Sequence, residues 1–164
     1  MISKPHQGYL NLMSSNPEVN EDHFSGAEIS CVIHATEDEK IVLTSVAELI
    51  SISKDRFFFR RLEGHWGNPI LYLTGFLDGN EAWAAASKIL LSLSPLDKNQ
   101  LKESFQNLTD EKGNLYFRLD KQEMCRGKIV LSEFDSVRIK FRPVKTFRKV
   151  TRLPDYRVIL TLGE

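Results

Sequence analysis

Three features of the sequence predict an α+β fold, with a single mostly antiparallel sheet and helices packed on one of its faces. Strand-type alternation recurs in short stretches, helix-capping residues stand between them, and two strand runs are separated only by loop residues, as in a hairpin. The chain of 164 residues is one domain's worth, and its 41% hydrophobic content suffices for a core.

Residues 1–26 read as a flexible N-terminal extension. Ser14-Ser15-Asn16-Pro17 and Glu21-Asp22 break any periodicity, and Tyr9, Leu10, Leu12 and Met13 are its only anchors. The ordered domain is expected over 27–164. Ile29, Cys31 and Ile33 alternate with Ser30, Val32 and His34, the period of a strand. In Thr36-Glu37-Asp38-Glu39, Thr36 is placed to cap a helix with Glu39 reaching back, and Val42, Val46, Leu49 and Ile50 supply that helix's apolar face. The three carboxylates suit a first helical turn, where anions complement the dipole, better than a Mg²⁺ site.

Phe57-Phe58-Phe59 and Ile70-Leu71-Tyr72-Leu73 flank Gly64-His65-Trp66-Gly67-Asn68-Pro69, which predicts a hairpin. A helix from about Glu81 presents Trp83, Ala86, Leu90 and Leu93. Ser94-Pro95 then starts another, with Ser94 as cap, Pro95 in the first turn, and Leu101, Phe105 and Leu108 as the buried face. After the turn at Asp110-Glu111-Lys112-Gly113, Leu115, Phe117 and Leu119 alternate with Tyr116 and Arg118. Asp120-Lys121-Gln122-Glu123 caps a very short helix, Ile129-Val130-Leu131 reads as a brief strand, and 156–162 as a last one. Val137-Arg138-Ile139-Lys140-Phe141-Arg142 is the cleanest alternation, apolar on one face and cationic on the other.

The formal charge of zero conceals a gradient. Residues 1–55 hold three basic and nine acidic residues, whereas 118–157 hold twelve basic and five acidic, and 138–152 hold seven basic and no acidic residue. Such a directional field favours polyanions. No apolar run approaches ~18 residues. Met1–His6 lacks a positive segment leading into an apolar stretch, so a cytoplasmic protein is expected, with no membrane partner. Cys31 and Cys125 read as two buried, reduced thiols. No nucleophile elbow, metal-ligand spacing among the four histidines or phosphate-cradling glycine loop is present, so no catalytic residue, metal or cofactor is assigned.

Arg138, Lys140 and Arg142 project to one side of their strand about 6–7 Å apart, a spacing that suits successive phosphates. Lys145, Arg148, Lys149 and Arg152 extend the cluster along the chain, and Arg118 beside Tyr116 joins the same open face. Cations for phosphates with a ring for stacking make an RNA platform, and a solvated charged face is the competing reading. The hairpin loop has two readings: Trp66 plugs the core edge, or His65 and Trp66 stand exposed to stack on bases.

Four motifs occur in order: His34-Ala35-Thr36-Glu37-Asp38, Gly64-His65-Trp66-Gly67-Asn68-Pro69-Ile70, Gly113 through Gln122, and, after Gly127, Val137-Arg138-Ile139-Lys140. Together they resemble the archaeal family described as a predicted exosome subunit or RNA-binding protein, over about residues 27–142. The resemblance implies a compact α+β fold comparable to double-stranded-RNA-binding domains and to a ribosomal protein that binds 5S RNA. It also implies an RNA-related role without a defined reaction. It marks Arg118-Leu119-Asp120-Lys121-Gln122 and the His65, Gly67, Asn68 group as its signatures. Glu123-Met124 departs from the small residues the pattern has there, and residues 143–164 are not aligned to it.

The combined expectation is a non-catalytic RNA-binding protein for structured or double-stranded RNA, tied to archaeal RNA processing or the exosome. Its contacts would come from Arg118, Lys121, Gln122, Arg138, Lys140, Arg142, Lys145, His65 and Trp66. For Lys121 and Gln122 the reason is their place in a helical first turn, and a plain structural corner is the competing reading. The alternative function is a subunit that joins RNA-processing partners without touching RNA.

Overall fold

The structure is a computed structural model that describes residues 23–144. Most of the expected extension, the expected strand over 156–162, and Lys145, Arg148, Lys149 and Arg152 lie outside the described residues. Within them the chain runs β1 (Phe24–Ile33), α1 (Glu39–Leu49), β2 (Phe57–Glu63), β3 (Pro69–Asp78), α2 (Gly79–Ser92), α3 (Pro95–Glu103), β4 (Leu115–Asp120), α4 (Lys121–Cys125) and β5 (Ser136–Pro143). Short 3₁₀ turns cover Lys54–Arg56 and Phe105–Leu108. The five strands form one antiparallel sheet in the order β2-β3-β1-β5-β4. The α+β class and the hairpin are as predicted.

Strand β1 is central because its helix-side residues are wholly apolar: Ala27, Ile29, Cys31 and Ile33 are all buried. It begins at Phe24, ahead of the expected start at Ala27, with a register shift against β5 at Gly26. That glycine has φ 157°, and a Cβ there would stand 2.6 Å from the Leu77 carbonyl oxygen, so the bulge excludes side chains. Helix α2 covers β1 and β3 through Ala82, Ala85, Ala86, Ile89 and Leu90. Its alanines permit close approach to the sheet, and Trp83 is half-buried at the margin, near Phe24. Phe141 meets Phe24 at 4.9 Å, tilted, and Phe117 at 5.3 Å, edge to face, between ring centroids, contacts worth about 0.5–1.5 kcal/mol each beyond their burial.

The structure corrects several local expectations. The α1 cap is Asp38, not Thr36: its carboxylate accepts the Lys40 and Ile41 amides. The capping box stands instead on α2, where Asp78 and Glu81 exchange hydrogen bonds with each other's amides. Ser94 and Pro95 open α3 as expected, but α3 ends at Glu103, and Phe105 and Leu108 are half-buried in the 3₁₀ turn that follows. Ile129-Val130-Leu131 is not a strand, since only the isolated bridge Leu119–Leu131 forms. Cys31 is buried, and Cys125 only half so. Desolvation pushes the Cys31 thiol up to about 12.

The largest correction is Lys121. Asp120 caps α4 by accepting the Glu123 amide, as predicted, but the Lys121 side chain points inward and is fully buried. Its Nζ donates to the Val32 carbonyl (2.7 Å), Glu37 Oε2 (2.8 Å) and Asp135 Oδ1 (2.7 Å). An ammonium taken out of water needs its donors satisfied, and this one has three acceptors, which leaves no donor for a phosphate. Gln122 is exposed but donates its amide to Glu37 Oε1. Glu37 is thus a partner for Lys121 rather than a capping residue, and it also accepts the His34 amide (2.8 Å). Asp135 takes a left-handed φ of 43°, and His34 Nε2 stands 3.5 Å from it. Burial disfavours the Lys121 charge, yet the bonds to Asp135 and Glu37 outweigh it and hold its pKa above the ordinary lysine value. Burial likewise opposes ionisation of Glu37 and Asp135, and hydrogen bonding to Lys121 outweighs it, so both are held low.

Removing the buried cation would leave two carboxylates facing each other across the β1–α1 and α4–β5 connections. Lys121→Met is expected to destabilise the protein by about 3 kcal/mol, read as a lower denaturant midpoint. An unchanged midpoint would mean the cluster holds nothing together.

A second prediction concerns the turn before β4. Asp110 accepts from the Asn114 side chain, the Tyr116 hydroxyl, and the Asn114 and Lys112 amides. Desolvation raises its pKa, but these bonds bring it down from 3.8 to about 2. A carboxylate whose pKa is depressed on folding stabilises above its unfolded pKa, and that contribution is lost as pH falls through the folded value. The melting temperature should therefore decline between about pH 4 and pH 2, and less steeply in Asp110→Asn. Parallel curves for the two proteins would show that Asp110 is not part of the acid response.

Candidate nucleic-acid interface

Helices cover one face of the sheet, and strand register determines what the other face carries. Residues directly opposite in antiparallel strands share a face. One row across the open face reads Phe58, Thr74, Ser30, Arg138, Arg118, and the next reads Phe76, Glu28, Lys140, Tyr116. A third adds Arg60, Tyr72 and Val32, and Arg142 stands opposite Gly26. In β5 the alternation is strict: Val137, Ile139, Phe141 and Pro143 are buried, while Arg138 is exposed and Lys140 and Arg142 are half-exposed.

The cations are paired with rings. Arg138 lies over Tyr116 at 5.0 Å from the ring centre, Lys140 at 5.8 Å, and Arg60 over Tyr72 at 5.6 Å. The Tyr116 hydroxyl donates to Asp110 (2.8 Å), which anchors the ring. Burial and this bond to an anion raise the pKa of Tyr116, so it stays a neutral phenol. Arg118 makes an exposed ion pair with Glu133 at 2.7 Å, the kind that contributes little and can exchange for another anion. Phe58 (61% exposed) and Phe76 (45%) complete a surface of rings and cations.

Of the predicted contact residues, the sheet brings together Arg118, Arg138, Lys140 and Arg142. His65 and Trp66 stand apart at the tip of the β2–β3 hairpin, on the far side of β1 from β5. Trp66 does not plug the core edge. It is 89% exposed, with the His65 ring edge-on at 4.9 Å. Lys121 is withdrawn into the interior, Gln122 lies beside it on α4, and Lys145 falls outside the described residues. The sequence reading missed Phe58, Arg60, Tyr72 and Phe76. A run of three phenylalanines does not show which ring faces out, and every residue of β2 after Phe57 is exposed, so no alternation marked them.

Among the described residues, no group of three or more His, Cys, Asp or Glu side chains is placed to hold a metal ion, and no helix is long and apolar enough to cross a membrane.

The chain is similar to several known proteins. The RNA-binding protein PAB1135 of Pyrococcus abyssi is 32% identical over 127 residues, 71% of this chain and 82% of that protein. An uncharacterised protein of Methanocaldococcus jannaschii is 29% identical over 116 residues, covering 67% and 77%. Among solved structures, a DUF54 protein from Archaeglobus fulgidus superposes with a TM-score of 0.62 at 24% identity, over 85% of this chain and 96% of that one. One from Sulfolobus solfataricus gives 0.63 at 24% identity, over 83% and 98%. These structural likenesses show the fold. A family model described as RNA binding matches residues 26–143, from the bulge in β1 to the end of β5, and the chain belongs to that family.

Proposed function

We propose that the protein binds RNA across the open face of its sheet, acting as a binding protein and not as an enzyme. The observation that carries this reading is the interleaving of Arg138, Lys140 and Tyr116, with Arg118 and Arg142, on two adjacent strands backed by a rigid core. The row of cations suits a phosphate backbone, and the rings suit bases. Exposed rings on a sheet face favour unpaired stretches of RNA, because a base inside an A-form duplex offers no free face for stacking. Structured RNA is bound where its loops and bulges offer such bases. A non-catalytic role is supported by the use of Lys121, Glu37 and Asp135 in a closed set of ion pairs.

The expected outcome for Arg138→Ala/Lys140→Ala is weaker binding to all RNA sequences alike. The slope of log K against log salt should flatten by about 0.7 per lost phosphate contact, and thermal stability should be kept because both side chains leave the sheet on the face opposite the described helices. Unaltered affinity and slope would reduce the strip to a solvated surface.

A second reading, membership of an RNA-processing assembly such as the exosome, is favoured by Trp66. A tryptophan so exposed at a hairpin tip is the kind of anchor that buries in a partner. Trp66→Ala should leave stability and RNA affinity unchanged while abolishing co-purification with exosome subunits. Reduced RNA affinity would instead put the hairpin in the RNA site.

A further inference from the structure

A groove of about 700 Å³ runs beside the outer edge of β4, between that strand, the 3₁₀ turn Phe105–Leu108 and the loop that carries Phe134. Ligand pockets span roughly 300–1,000 Å³, so this one has room for a single heterocycle with its sugar. Leu108, Leu131 and Phe134 give it apolar walls, and Tyr116 and Arg138 are shared with the open face.

The main chain of β4 supplies polar groups on the same side. Ser132 N–H donates to the Arg118 carbonyl (3.0 Å), so the backbone of Arg118 points away from β5. Alternation along the strand turns Tyr116 the same way. The isolated bridge Thr109–Leu115 closes one end of this edge, and Leu119–Leu131 closes the other. Between them the Tyr116 carbonyl and the Arg118 N–H stand side by side, an acceptor next to a donor. Neither has a hydrogen-bond partner among the described residues apart from what the groove would admit. Nucleobases offer complementary donor and acceptor pairs on their edges.

Charge separates a base from a phosphate here. Asp110 and Glu133 line the groove along with Arg118 and Arg138, so the formal charges balance. A neutral ring suits that interior, while a phosphate is better held outside, towards Lys140 and Arg142. We propose that the groove takes one unpaired nucleobase of the bound RNA, hydrogen-bonded to the edge of β4 and enclosed by Leu108, Leu131 and Phe134. This rests on the open-face reading and deepens it, since it makes binding depend on a base as well as on backbone charge.

The test uses the full chain with a short oligoadenylate and with adenosine monophosphate. Asn107 is exposed and lines the groove, so Asn107→Trp should fill it without disturbing the core. Phe134→Ala removes a wall at a residue that is 86% exposed, and it serves if the first variant misfolds. Each is expected to weaken oligoadenylate binding about tenfold, the order of one lost base contact, with the salt slope unchanged. The mononucleotide should shift the Tyr116 and Arg118 amide resonances in the unaltered protein and not in Asn107→Trp. If both groove variants bind oligoadenylate normally while Arg138→Ala/Lys140→Ala binds it poorly, the groove inference is overturned and the open face stands. If Arg138→Ala/Lys140→Ala binds normally, the open-face reading is what fails. Amide shifts that spread over the whole sheet, or spare Tyr116 and Arg118, also overturn the groove.

Discussion

The proposed RNA face of this protein depends on the two-residue alternation in β1, β4 and β5. Because successive side chains leave a strand on opposite faces, Val137, Ile139 and Phe141 can anchor the core while Arg138, Lys140 and Arg142 stay outside. Burial of the apolar set gives the cationic set its rigidity, since a one-residue slip would carry charge into the core and expose the aromatics. The central strand enforces the register from both sides. Gly26 to Ile33 pairs with β3, and much of the same stretch pairs with β5, so the two halves of the open face are locked to one strand.

Lys121 illustrates how a charged side chain can act as part of a core. Its three acceptors come from the end of β1, the approach to α1 and the turn before β5. These connections meet at one corner of the sheet. A buried cation with complete partners specifies that arrangement, because any other packing leaves it or its carboxylates unpaired. The corner therefore holds β4 and β5 in place, and the cations of the proposed RNA face lie on those two strands. The family is described as RNA binding, and strand register, on separate grounds, places cations and rings together on one face of the sheet.

Much of this was readable along the chain. The strands at Ile29–Ile33, Leu115–Leu119 and Val137–Arg142, the hairpin, the Ser94-Pro95 restart and the Asp120 cap are local patterns, and the structure keeps each of them. The errors share a cause. Thr36-x-x-Glu39 fits a capping box, but Asp38 lies closer to the first free amides of α1 and takes them. Ile129-Val130-Leu131 has strand composition but finds only one bridging residue at the edge of β4. Lys121 looked like a surface cation because nothing near it in sequence accepts its protons, whereas two of its three partners, Val32 and Glu37, lie more than eighty residues away.

The sequence by itself determined the fold class, the apolar and cationic faces of β5, and the identity of Arg138, Lys140 and Arg142 as its outward cations, because alternation and capping act over a few neighbouring residues. Only the tertiary structure decided which rings stand beside those cations, that Trp66 lies on the other half of the sheet, and that Lys121 is interior. Those outcomes follow from strand order and from contacts between distant segments, which no local pattern encodes. The groove at β4 belongs to the same class. Its walls come from α3, a 3₁₀ turn, an edge strand and a loop, and they become neighbours only once β4 has taken the outer place in the sheet.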